Sequence, residues 1–307
     1  MFKYSNTNKR YYTLDYYYKK RFNSKVAKIN LDANFTCPNI DGTKGYGGCI
    51  YCLNGSSDFN KKTTLLEQFN IRKEIMLNKW TSAKLIAYFQ ANTNTYDTVD
   101  NLKKRFEPIL KEKDVIGISI ATRADSISNE VLEYLINLNK RTYLTIELGL
   151  QTTNEDTANL INRCHDLKCF DEMVFKLRKN DIDVVVHIIN GLPYETEEDM
   201  INTIKHLNTL NIQGVKIHML SIVKGTKLSK MYKEKPFKIL TKNEYIKIVC
   251  DQLEYLNADI VVHRLTGDPI KETLIEPKWI LNKIDVLNGI DKEMAKRNTY
   301  QGIKTKD

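Results

Sequence analysis

At 307 residues, with 42% hydrophobic and 28% charged side chains, the chain can bury a substantial core in one large or two ordinary domains, and it is too apolar to be disordered. No apolar run reaches the ~18–20 residues that span a bilayer, and the opening MFKYSNTNKRYY lacks the apolar core of a secretory signal, so the expectation is a cytoplasmic protein with no membrane partner. The 47 basic against 38 acidic residues give a net charge of +9, which suits a nucleic-acid partner and a lysine-rich solubility surface equally well.

The first 24 residues crowd bases and aromatics together in NKRYYTLDYYYKKRF. Tyrosines that stack on bases, beside Lys19, Lys20 and Arg21 for phosphates, would make a single-stranded nucleic-acid surface; an amphipathic helix packing its tyrosines on the domain fits the same pattern. KVAKINL (25–31) alternates like a strand, and a cysteine-rich loop follows it. A helix is expected over 64–77 and a second strand over 83–89. Strands at 115–121, 143–150, 182–189 and 215–220 then alternate with helical stretches near 98–112, 128–139, 155–179 and 196–210. Ser128, and Thr196 before three acids, are suitable helix caps. Such alternation demands a mostly parallel sheet with helical crossovers, and six strands are too few for a closed eight-stranded barrel. The expected fold class is therefore α/β, a partial (β/α)6 barrel over 25–220. An N-terminal extension (1–24) precedes it, and a C-terminal extension (221–307) is expected to pack on it. That last part carries a lysine-rich segment, VKGTKLSKMYKEKPFK, a helix over 241–256 and a strand over 260–263.

The cysteine loop, CPNIDGTKGYGGCIYC, places Cys37, Cys49 and Cys52 within one glycine-rich segment, with Tyr51 directly before the last sulfur. Without a signal peptide a disulfide framework is not expected, which leaves metal ligation or burial. A structural zinc site wants four ligands, which here means recruiting His165 or a cysteine from the distant Cys164/Cys169 pair. Three thiolates suit an iron–sulfur cluster with one open iron, and the loop stands at the carboxyl end of a strand, where parallel α/β barrels build their active sites.

These features resemble the radical S-adenosylmethionine (SAM) enzymes, although the eleven residues between Cys37 and Cys49 exceed that superfamily's commonest spacing. Long first spacings occur in its elongator-like branch. Within that branch the chain closely resembles the YhcC/YtqA-type proteins through LDANFTCPN, GGCIYC, FQANTNTY, IELGLQT, INRCHD, GLPYET, GVKIHML, KGT, HRLTGD and YQG, a likeness that runs from about residue 11 to 302. The resemblance implies that Cys37, Cys49 and Cys52 ligate a [4Fe–4S] cluster whose fourth iron is chelated by SAM, with Tyr51 near the adenine. Gln90 and Asn92 would replace the usual glycine-rich contact to the SAM amino group. Gln151 and Arg163 would meet its ribose and carboxylate, with His187 and the Gly191-Leu192-Pro193 turn on the adenine side. Lys216 with His218, and His263-Arg264 with Asp268, would face the substrate, a histidine serving as proton donor.

Each of these has a structural alternative: Gln151 as a cap, Arg163 paired with an acid, His187 as a core histidine, Asp268 as a turn cap paired with Arg264. Cys164, Cys169 and Cys250 are expected to be ordinary buried or partly buried thiols. The family implies reductive cleavage of SAM to a 5′-deoxyadenosyl radical, an electron from a low-potential donor such as flavodoxin or ferredoxin, and tRNA as partner. Processing of the carboxymethylaminomethyl side chain of a wobble uridine to aminomethyl is the implied reaction. A radical SAM enzyme acting on a small molecule or porphyrin, and a non-catalytic zinc-stabilised RNA-binding protein, are the alternatives.

Overall fold

Alternate residues of the expected strands are apolar, and in the computed structural model, which describes residues 9–53 and 63–305, that half of each strand is buried. Seven strands form one all-parallel sheet: β1 (Val26–Leu31), β2 (Lys84–Phe89), β3 (Val115–Thr122), β4 (Tyr143–Gln151), β5 (Asp183–Asn190), β6 (Gly214–Met219) and β8 (Val261–Arg264), hydrogen-bonded in that order. The six expected strands are all present, and the C-terminal segment adds the seventh. A two-stranded antiparallel ribbon, β7 (Ile222–Val223) with β9 (Leu274–Glu276), stands apart from the sheet. Helices α2 (Leu65–Lys79), α3 (Val99–Leu110), α4 (Asn129–Asn139), α5 (Glu155–Leu160), α6 (Leu167–Lys179) and α7 (Glu197–Leu207) fill the crossovers. Helices α8 (Lys227–Glu234), α9 (Lys242–Tyr255) and α10 (Lys283–Lys296) follow. The result is a curled, open half-barrel, edged by β1 and β8.

The two expected caps form: Ser128 accepts from the Val131 amide and Thr196 forms a reciprocal box with Asp199; Thr64 and Thr241 form boxes of the same kind with Glu67 and Glu244. The stretch 155–179 is two helices rather than one. Asn162 and Cys164 take left-handed backbone (φ +59 and +62), which ends α5 and lets INRCHD form a separate loop.

Side chains such as Phe89, Ile120, Leu148, Val186 and Ile217 pack between sheet and helices in the main core. The other face of the same strands lines the barrel's lumen. Its amino end is stopped by α1 (Leu14–Phe22), which packs against both edge strands, while the Val262 amide donates to the Tyr12 carbonyl at 2.8 Å. Tyr18, 3% exposed, and Phe22 cluster with Val26, Ile86 and Tyr143. The aromatic N-terminal stretch is thus a plug, and this corrects the base-stacking reading for Tyr11 and Tyr18, which are buried. Residues 1–8 of that extension lie outside the described residues. Among the described residues no helix is long and apolar enough to cross a membrane.

Candidate active site

The cysteine loop leaves β1 and is shaped by its own backbone. Ile40 and Asp41 amides both donate to the Cys37 carbonyl, and the Cys52 amide donates to that of Cys49. Buried Asn39 and the INRCHD loop clamp it from outside: Asn39 Nδ2 donates to the Asn162 carbonyl (2.5 Å), and Asn162 Nδ2 donates to that of Gly48 (2.8 Å). Gly45 is required by this fit, since a Cβ there would lie 2.3 Å from Asn39 Oδ1 and 2.7 Å from Cys164 Sγ. Cys164 is exposed beside the loop, contrary to the expectation of burial; Cys169 is half-buried and Cys250 buried.

Cys37, Cys49 and Cys52 are free thiols lining a single cavity of about 220 Å³. Burial, then the neighbouring thiols, pushes Cys52 up to about 11, so the three sulfurs sense one another. Among the described residues no three His, Cys, Asp or Glu side chains are arranged to hold a single metal ion. Three thiols spread round a cavity instead suit a multi-iron cluster, whose ligands are thiolates. His165, the candidate fourth zinc ligand, lines the same cavity with its Nε2 buried and unpartnered.

The same cavity collects residues from the carboxyl ends of successive strands: Gln90 and Asn92 after β2, Arg123 after β3, Gln151 ending β4, and His187 on β5. Asn92 spends its amide on the Phe35 carbonyl (2.8 Å), anchoring the start of the cysteine loop. Gln151, at φ +65, sits on a bulge between β4 and β5. Arg163 reaches the cavity wall but its guanidinium is committed: to the carbonyls of Leu150 (3.0 Å), Thr152 (2.7 Å) and His165 (2.8 Å), and to Glu155 (3.0 Å). It is 1% exposed and braces the loop.

Arg123, absent from the sequence reading, is the arginine whose charge bears on Cys37 and Cys49. It is fixed by both oxygens of Asp125 and by the Arg163 carbonyl (2.8 Å). Tyr51 packs on a second apolar cluster with Leu192, Leu220 and Leu228, and its hydroxyl interacts with the Cys49 thiol.

Below the thiols the lumen is charged. Glu147 on β4, buried, receives Lys28 (2.6 Å) and Ser119 (2.8 Å) on Oε1. Tyr88 (2.8 Å), His187 Nε2 (2.7 Å) and Lys216 meet Oε2. Each of β1 to β6 contributes one of these side chains. Burial opposes ionisation of Glu147, but Lys216 and Lys28 outweigh it and hold the carboxyl well below the usual range. Burial brings His187 down to about 4, aided by Lys216, so its imidazole is neutral at pH 7.

The substrate-facing candidates divide. His218 stands beside His187 (ring centroids 5.2 Å apart), and burial, then His187, holds it well below the ordinary histidine value. Arg264 lies opposite Lys216 in the β6–β8 register. His263 is turned to Gln213 (3.1 Å) at the amino end of β6, beside the register shift at Lys216; it does not line the cysteine cavity but still feels Lys28 and Glu147 in the lumen. Asp268 is half-exposed and bridges Arg264 (3.0 Å) and Lys283 (2.8 Å).

At the mouth, α8 is tied to the cysteine loop: the Leu228 amide donates to the Ile50 carbonyl (2.8 Å) and Lys227 to that of Tyr46 (3.3 Å). Lys224, Lys227, Lys230, Lys233, Lys235 and Lys238 are all exposed.

A parallel half-barrel with a three-thiol loop after its first strand defines a class of enzyme, and the comparisons agree: residues 43–207 match the Radical SAM superfamily, and residues 212–296 match the Radical_SAM C-terminal domain. The chain belongs to the radical SAM superfamily, whose cofactors are a [4Fe–4S] cluster and SAM. It is 49% identical to YtqA of Bacillus subtilis over 304 residues, 98% of this chain and 94% of that one. With YhcC of Escherichia coli it shares 29% over 267 residues, 86% of this chain and 85% of that one. Among solved structures, Elp3 of the archaeon Methanocaldococcus infernus superposes with a TM-score of 0.69 at 17% identity, covering 91% of this chain and 64% of that longer one, which supports the fold.

Proposed function

We propose that Cys37, Cys49 and Cys52 hold the [4Fe–4S] cluster and that the enzyme processes the carboxymethylaminomethyl side chain of a wobble uridine in tRNA to aminomethyl. The observation that carries this reading is a single cavity that joins the three thiols to strand-end polar groups, above a charged lumen and beside a lysine-rich helix. When bound, cluster and SAM supply a carbon radical that removes a hydrogen atom from an unactivated carbon.

The chain's own residues supply the rest. Asn39, Asn162 and Arg163 keep the thiols in place, and Arg123 offsets the negative charge that three thiolates bring. Gln90, Gln151 and the side-chain oxygen of Asn92, whose Nδ2 is held by Phe35, offer polar groups to SAM at the strand ends. Burial and the neighbouring cations keep the imidazole of His218 neutral, so in the lumen it can accept a proton or a hydrogen bond from the substrate, and the proton-donor role expected of a histidine here does not suit it. Lysines of α8 meet tRNA phosphates, and the exposed rings of Tyr46 (79%) and Tyr194 (58%) offer stacking faces. The reaction belongs in the reducing cytoplasm with a flavodoxin- or ferredoxin-type donor.

Two measurements test this reading. Anaerobic reconstitution should give a brown protein that forms 5′-deoxyadenosine on reduction; a colourless protein with one zinc per chain would overturn the cluster assignment. Nucleoside mass spectrometry of tRNA from cells lacking the gene should show accumulated carboxymethylaminomethyluridine, and an unchanged profile would overturn the tRNA substrate in favour of a small molecule.

A further inference from the structure

The Glu147 cluster contains more positive charge than it uses. Five donors surround the two oxygens of Glu147, which saturates its lone pairs. Lys216 gives two of its three N–H groups to Glu147 and Tyr88 and has a third to offer. With both lysines protonated, two cations on one carboxylate leave a net charge of about +1 inside the lumen, a cost relieved either by loss of the Lys216 proton or by an anion that joins it. Arg264 adds a like charge directly opposite Lys216 in the strand register, where like charges repel. Asp268 answers only one edge of that guanidinium and is shared with Lys283. His218, close enough to feel the charges of Lys216 and Arg264, carries a buried, unpartnered Nε2.

We propose that this part of the lumen is a pocket for a substrate carboxylate, with Lys216 as its cationic anchor and His218 and Arg264 beside it. A monoanion matches the surplus charge, whereas a phosphate of the tRNA backbone carries its charge outside the barrel and is met by α8. Glu147 acts as the positioning residue: it holds Lys216 in the lumen while leaving one donor free. Burial, against the pull of Glu147, brings Lys216 down to about 7, so an arriving carboxylate would secure its proton. The inference rests on the wobble-uridine reading for its natural ligand, the carboxymethyl end of the modified base. SAM's own carboxylate is the other carboxylate that enters this cavity, and the experiment separates the two.

The test uses reconstituted holoenzyme with SAM and two synthetic anticodon stem–loops. One bears carboxymethylaminomethyluridine at the wobble position and the other its neutral methyl ester. The wild type should favour the acid by roughly thirtyfold or more in kcat/KM for 5′-deoxyadenosine formation, as expected for a buried charge pair. Lys216→Met should bring that ratio towards one with SAM affinity unchanged, and Lys216→Arg should restore part of it. A wild-type ratio near one overturns the pocket. So does a Lys216→Met variant that loses SAM affinity but keeps the ratio, since the lysine would then serve SAM.

Lys216→Met leaves Glu147 its contact with Lys28, which favours folding. If the variant does not fold, Arg264→Gln, at the half-exposed edge, should lower the same ratio by a smaller factor, and an unchanged ratio counts against the pocket. If neither RNA elicits 5′-deoxyadenosine, the wobble-uridine reading fails separately. The pocket is then judged by thermal shift with N-acetylglycine against N-acetylglycinamide. Stabilisation by the acid alone, lost in Lys216→Met, keeps it, and equal behaviour discards it.

Discussion

Two basic, tyrosine-bearing stretches lie at opposite ends of the same barrel, and the fold uses them in opposite ways. At the amino end, α1 turns Tyr18 and Phe22 inward against Val26, Ile86 and Tyr143, and spends Lys19 and Arg21 locally. Lys19 pairs with Asp15 (2.8 Å) and Arg21 stacks 4.6 Å from the Tyr143 ring centroid. At the carboxyl end, α8 buries Leu228 alone and presents its lysines to solvent beside the cysteine loop. Among the described residues, Lys238 is the member of that lysine set with a carboxylate partner. A cation count does not separate the two stretches; what separates them is whether aromatics at helical spacing have an apolar surface to cover and whether acids stand near the bases.

The comparison predicts that damage at the carboxyl end removes activity and spares the fold, and the reverse at the amino end. The largest effect should follow Cys52→Ala: 5′-deoxyadenosine formation falls below detection and reconstituted iron drops, while circular dichroism and melting stay near wild type. Loss of folding would instead mark the loop as a structural metal site. Next, Tyr18→Ala should destabilise the chain by about 3–5 kcal/mol in denaturant titration, the usual cost of emptying a buried aromatic site. RNA affinity of the folded protein should be unchanged. A variant with native stability but weakened RNA binding would restore the base-stacking role of this segment.

The same contrast explains what the sequence made legible. Strands and most helices were placed within a residue or two, because period-two apolar runs and hydroxyl caps are local signals. The three cysteines were legible because their spacing is itself the motif. Lys28, Arg123 and Glu147 were missed; for Glu147 the signal was there, a lone charge at a lumen-facing position of the apolar strand in IELGL, whereas Arg123 lies just past the end of β3. Only the assembled sheet brings Lys28, Glu147 and Lys216 together from strands up to 188 positions apart, since pairing across a parallel sheet is not local. Arg163 was identified by its motif, but its partners are backbone carbonyls, which no sequence pattern displays. The N-terminal tyrosines were ambiguous for the reason already given.

Smaller effects probe the mouth. Changing Lys227, Lys230 and Lys233 together to Gln should weaken tRNA-fragment binding and lower the salt slope by about 2–3, at ~0.7–0.9 per phosphate contact. Lys19→Gln with Lys20→Gln should barely move either quantity. Equal losses from the two sets would abolish the distinction between the ends of the barrel.

The smallest effect concerns Lys238, whose Nζ lies 2.6 Å from Glu244 Oε1. Glu244 also closes the capping box of α9, its Oε2 accepting from the Thr241 amide (2.8 Å). Lys238 first, then the Thr241 amide, bring the Glu244 carboxyl down to about 2. A depressed carboxyl stabilises the fold at pH values above its unfolded value, ~4.3, and the contribution is lost as pH falls through that value towards about 2. Because both partners are substantially exposed, screening keeps the net effect to about 1 kcal/mol or less. Glu244→Gln should therefore be slightly less stable than wild type at pH 7 and converge with it as pH approaches 2, measured by urea titration at a series of pH values. A gap that persists at the acid end would mean that the α9 cap acts through shape and not through charge. Lys238 would then be as free for phosphate as Lys227, and Lys238→Gln should lower the salt slope as much as Lys227→Gln does.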